Sequence, residues 1–83
     1  MSFAYTGYIQ RQVKNFHTYL EDQQNQDRNL ELYGSLLLQN KIQQAETLKK
    51  STNLQIPETV LTKIIKLRPS LEQQILNNSI QTN

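Results

Sequence analysis

The stretch Glu21-Asp22-Gln23-Gln24-Asn25-Gln26-Asp27-Arg28-Asn29 contains no apolar residue, and no Gly or Pro either. Its reading decides the fold. Either the chain turns back here, which gives a compact bundle, or the stretch is the solvated middle of one long helix, which gives a rod that needs a second chain. Upstream, Tyr5, Ile9, Val13, Phe16 and Leu20 recur at spacings of four and three. At about 100° per residue they fall on one helical face, so they predict an amphipathic helix from about Tyr8 to Glu21. Tyr8 and Tyr19 widen the stripe, and Arg11, Lys14, Thr18 and Glu21 lie opposite. Downstream the apolar residues resume at Leu30 and Leu37 in nearly the same phase. A loop or kink near Asn25 is nevertheless the reading adopted, with Asp27 as cap of the following helix and Glu31 in its first turn.

That following segment is predicted as one long helix from about Arg28 to Lys50. Its apolar residues Leu30, Leu32, Tyr33, Leu36, Leu37, Leu38, Ile42, Ala45 and Leu48 spread over more than half the circumference, as in a helix covered from several sides. Gly34 lies on the apolar side, where the missing side chain permits close helix approach. Lys49 and Lys50 suit a helix C-terminus, and Ser51-Thr52-Asn53 reads as the exit. Pro57-Glu58 opens a third segment with Val60, Leu61, Ile64, Ile65 and Leu67 on one face. Pro69 stops it by restricting Arg68. Ser70 with Gln73 spells a capping box for a final short helix carrying Leu71, Ile75, Leu76 and Ile80. The expected fold is therefore all-α: one domain over 1–83, a small bundle of three to four helices, made of a long amphipathic hairpin and two short C-terminal helices. Residues 1–7 and 81–83 are expected to fray.

Composition bounds the function. At 83 residues with 36% hydrophobic content, the core is thin, which points to stabilisation by a partner or by self-association. Twelve Gln and eight Asn stand against five Glu and two Asp. This amide-rich surface is polar, yet cheaper to desolvate than a charged one. The amides are interleaved with the helical pattern and form no tract.

Catalytic and cofactor chemistry has no visible constellation. The chain has no Cys, which removes disulfides, thiolate metal sites and Cys nucleophiles, and fits a cytoplasmic or other reducing compartment. The single His17 cannot build an ordinary zinc site and reads as an edge residue. Glu21, Asp22, Asp27 and Glu31 cluster in the most hydrophilic part of the chain, where carboxylates are solvated. No Gly-rich phosphate loop and no run long enough to span a membrane is present, and the first residues lack the pattern of a secretory signal. No metal, cofactor, small-molecule substrate or enzymatic activity is expected.

The expected function is contact through apolar helix faces: a protein–protein interaction module, adaptor, regulator or accessory subunit, or a homo-oligomer. Tyr5, Ile9, Val13 and Phe16 form one candidate surface. Leu32 and Leu36 are the second-segment residues most in need of outside cover. The alternative is nucleic-acid binding. Residues 41–83 carry six basic and three acidic residues, and Lys49, Lys50, Lys63, Lys66 and Arg68 are the candidates for phosphate contact.

Overall fold

A computed structural model describes the backbone of residues 3–81 and the side chains of residues 7–77. The helices are α1 (Phe3–Asp22), α2 (Arg28–Leu38), α3 (Ile42–Thr52), α4 (Glu58–Leu67) and α5 (Glu72–Gln81), with a 3₁₀ turn at Pro69–Leu71 before α5. No strand occurs among the described residues. The first helix begins at Phe3, earlier than Tyr8. Of the stretches expected to fray, residues 3–7 and 81 belong to helices, and residues 1–2 and 82–83 lie outside the described residues.

The polar stretch is a turn. Gln24 takes a left-handed backbone, φ 57°. The Gln24 N–H donates to Glu21 O (2.9 Å) and the Asn25 N–H to Leu20 O (2.9 Å). This is the Schellman pattern, in which the two residues beyond a helix end satisfy its orphan carbonyls. The Asn25 side chain then accepts from Asp27 N–H (2.9 Å). Asp27 caps α2, its carboxylate accepting from the N–H groups of Asn29 (3.0 Å) and Leu30 (3.2 Å), and Glu31 stands in the first turn. The chain extents of 38 × 29 × 20 Å rule out a rod, since one helix over residues 8–50 would alone span about 65 Å.

The expected long second helix is instead two helices. Asn40 is left-handed (φ 64°), and the N–H groups of Asn40 and Lys41 close on Leu37 O (2.9 Å) and Leu36 O (2.8 Å). Asn tolerates this conformation better than most residues, because its short polar side chain bonds locally. Gln39 N–H covers Ser35 O (3.1 Å), and Arg68 donates a guanidinium N–H to Leu38 O. All four terminal carbonyls of α2 are thereby satisfied, the last by a residue of the α4–α5 connection. Helix α3 ends the same way, with Asn53 at φ 52° and Leu54 N–H on Lys49 O (3.0 Å).

The C-terminal part departs from expectation in two details. Pro57 stands at the cap of α4 and not inside its first turn, its carbonyl accepting from Val60 N–H (3.0 Å) and Leu61 N–H (3.2 Å). Ser70 does not head the last helix. It lies within the 3₁₀ turn that Pro69 opens, and α5 starts two residues later.

The core gathers Phe16 and Leu20 from α1, Leu30, Tyr33, Leu37 and Leu38 from α2, and Ala45 from α3. Val60 and Ile64 of α4, then Leu71 and Ile75, complete it. Gly34 is buried directly over Phe16, and a Cβ there would lie 2.1 Å from the ring. The absent side chain is thus the reason α1 and α2 can cross so closely. Leu36, Leu37 and Leu38 separate by about 100° each. Leu37 and Leu38 are fully buried, and Leu36 is left at the margin.

Candidate functional site

Two surfaces carry the features expected of a site. The first is an open groove of about 460 Å³ between α1 and α2, lined by Ile9, Gln10, Val13, Lys14, His17, Glu31, Ser35 and Gln39. At its end His17 Nδ1 pairs with the Glu31 carboxylate, and Nε2 lies 3.5 Å from Glu21 Oε2. The Glu31 carboxylate, by hydrogen bond and charge, raises the His17 pKa above the ordinary value of 6.5, and Glu21 adds to this. Both ring nitrogens face carboxylates, so neither is left to activate Ser35. The pair ties α1 to α2 at the surface. Asp27, the neighbouring carboxylate, is spent on the cap of α2. Among the described residues no group of three His, Asp or Glu side chains is arranged to hold a metal ion.

The second surface lies between α2 and α3. Leu32, Leu36 and Leu48 form its floor, and Gln43, Gln44, Thr47 and Ser51 surround them, enclosing about 580 Å³ of open groove. Leu32 is 50% exposed. Leu36 and Leu48 are half-buried and rest on the core. No side chain lining this groove carries a charge. The turn at Asn40 makes the surface, because it folds α3 back beside the outer edge of α2. Leu32 and Leu36 were accessible to sequence reasoning through the width of the apolar arc. Leu48 and its four polar neighbours were not, because their place depends on that turn.

The remaining expected contact residues fall differently. Phe16 is fully buried beneath Gly34 and belongs to the core, so it offers no contact surface. It is the centre of the α1 stripe, the position that must face inward in a bundle. Ile9 and Val13 are half-buried along the α1–α2 groove. The Tyr5 side chain lies outside the described residues. On the other flank of α1, the hydroxyls of Tyr8 and Tyr19 reach the carbonyls of Leu67 (3.4 Å) and Thr59 (3.5 Å).

The basic residues do not form one patch. Lys49 and Lys50 border a groove that includes Leu61 and Ile75. Lys63 instead reaches toward α1, its Nζ 5.5 Å from the Tyr19 ring centroid, a cation–π contact. Leu61 and Lys63 are about 200° apart around α4, so Lys63 lies on the flank of α4 away from the Lys49–Lys50 groove. Arg68 is engaged with Leu38 O. In the Lys49–Lys50 groove the Tyr33 phenol is pushed up to about 12, by burial first and by the Glu46 charge second.

No protein-family model, curated protein or solved structure matches the chain. No helix among the described residues is long and apolar enough to cross a membrane.

Proposed function

We propose that this chain is a non-enzymatic interaction module, a small adaptor, regulator or accessory subunit, that docks through the α2–α3 face. The observation carrying this reading is Leu32, half exposed beside Leu36 and Leu48 in a groove without charges. A single exposed Leu is ordinary on any protein surface. Leu32 together with the half-buried Leu36 and Leu48, on two helices and rimmed by amides and hydroxyls, makes a contiguous apolar patch of the kind that marks contact sites. Full burial of a Leu side chain is worth about 1.5–3 kcal/mol, so covering the exposed half of Leu32 contributes about 1 kcal/mol. A low charge count keeps the desolvation cost of the rim small. The absence of Cys supports a working place in a reducing compartment such as the cytoplasm.

Leu32→Glu tests this reading. The site is half exposed on a helix, so the variant is expected to keep its helical circular dichroism and to unfold within about 0.5–1 kcal/mol of the parent. Association, read as sedimentation mass or as co-purification from the native host, is expected to fail. Undiminished association refutes docking through this face. Retention of DNA or RNA that weakens steeply as salt rises would assign function to the lysines instead.

A further inference from the structure

We propose that the pocket between α2, the end of α3, α4 and α5 binds a small monocarboxylate with an apolar body, its carboxylate held between Lys49, Lys50 and the Tyr33 hydroxyl. The pocket encloses about 460 Å³, within the range of about 300–1,000 Å³ usual for small-molecule sites. It shares no lining residue with the α2–α3 groove, so this site stands apart from the docking role given above.

Tyr33 is 3% exposed, yet its hydroxyl has no hydrogen-bond partner among the described residues. A buried phenol normally finds one. The hydroxyl is not sealed in the core, because Tyr33 lines this pocket. With its pKa pushed up to about 12 the phenol stays protonated at neutral pH and remains an O–H donor. The Glu46 charge acts on this phenol, and Lys49 and Lys50 follow Glu46 on α3 at i+3 and i+4. Residues at these spacings share a helix face, so the phenol and the two ammonium groups meet on one side of α3. Lys49 and Lys50 form no salt bridge among the described residues, whereas Glu46 is already engaged. The carbonyls of Lys49 and Lys50, which would oppose an anion at this helix end, accept from Leu54 N–H (3.0 Å) and Asn53 N–H (3.4 Å). Leu54, Ile56, Leu61 and Ile75 supply the apolar wall from the α3–α4 connection, α4 and α5. A cationic ligand would face two like charges, and a wholly apolar one would leave the Tyr33 O–H buried and unpaired. A carboxylate on an apolar body answers both.

Octanoate, octanol and octylamine, which share one apolar body under an anionic, a neutral and a cationic head, test the site by NMR titration of the full chain at neutral pH. For a ligand of about ten non-hydrogen atoms a Kd of roughly millimolar order is expected. Octanoate is expected to bind tightest, to shift the amide signals of the α3 end, the α3–α4 connection and Ile75, and to raise Tm. Tyr33→Phe removes only the hydroxyl, and Lys49→Gln/Lys50→Gln only the charges, so both are expected to fold, which circular dichroism confirms. Each is expected to weaken octanoate about fivefold or more while leaving octanol within about twofold. Glu46→Gln is expected to tighten octanoate, because it removes the acid beside the phenol. Octanol binding as tightly as octanoate overturns the anion, and tighter octylamine overturns it in favour of Glu46. Shifts centred on the α2–α3 groove overturn the site. So do an octanoate titration that never saturates and an affinity unchanged in both the Tyr33 and the lysine variants.

Discussion

Gly34→Ala is the most exacting test of the α1–α2 crossing. The added Cβ would lie 2.1 Å from Phe16 Cε2, 2.3 Å from Cζ and 3.0 Å from Cδ2. Carbon atoms pack at about 3.5–4.0 Å, so the overlap is about 1.4 Å at the worst contact. Phe16 is fully buried and cannot swing into solvent, so either the ring leaves its site or α2 moves away from α1. Overpacking of this kind costs about 1–3 kcal/mol, occasionally more, and this overlap belongs at the top of that range. Replacing a mid-helix Gly by Ala returns about 1 kcal/mol of helix propensity. The net loss is about 2 kcal/mol, which for a chain of this size lowers Tm by roughly 8–16 °C. Thermal melts followed by circular dichroism, with urea titration as a second measure, read it directly. Gly7→Ala is the matched control, since a Cβ there meets nothing within 4 Å and is expected to stabilise α1 by up to about 1 kcal/mol. Adding Phe16→Leu to Gly34→Ala removes ring atoms from the clash. The pair is expected to be more stable than the sum of its single effects by about 1 kcal/mol or more. A Gly34→Ala variant as stable as the parent, with no coupling to position 16, would refute the close crossing.

Other outcomes follow from the helix ends and the surface pair. Asp27→Ala removes the acceptor for two N–H groups of α2 and is expected to cost about 1 kcal/mol in urea unfolding. Gln24→Gly is expected to stabilise the chain by about 1 kcal/mol, because Gln24 holds a left-handed backbone that Gly adopts without steric penalty. An NMR titration of His17 is expected to show a midpoint above 6.5, falling back toward that value in Glu31→Gln. Because the folded value is the raised one, the contribution of this pair to stability is complete below pH 6.5 and fades as pH rises through the folded midpoint.

The parts of the fold legible in the sequence are those with a local chemical marker. The α1 stripe, the Asp27–Glu31 start of α2, the Asn53 exit and the stop at Pro69 all have one. The break at Asn40 has none. Leu38, Ile42 and Ala45 keep spacings of four and three across it, so the periodicity runs on through a place where the helix ends. The terminator is a single Asn in a chain with eight of them, and only its backbone angle distinguishes it. Three helices end on left-handed amide residues, Gln24, Asn40 and Asn53, where Gly would have announced the stop. Part of the amide richness is thus structural. Ser70 shows the opposite error, a capping-box spelling overridden because Pro69 tightens the backbone into a 3₁₀ turn first. At the candidate site, the outward position of Leu32 followed from counting apolar directions. Phe16 sits in the core and not on a contact surface because its ring fills the space that Gly34 leaves open, a pairing set by the crossing of α1 and α2 and not by spacing along the chain.

The hydrogen bond from Arg68 to Leu38 O bears on how this chain can be divided. The natural place to cut would be the extended segment between α3 and α4. A fragment ending there keeps α1, α2 and α3, but it strips the last carbonyl of α2 of its donor and uncovers the core side chains that Val60, Ile64 and Leu71 shield. The loss concentrates at the C-terminal end of α2, beside the turn that sets α3 in place. Shortened versions of this protein, whether made for labelling, fusion or display, should therefore retain residues through the α4–α5 connection, and tags belong at the chain ends.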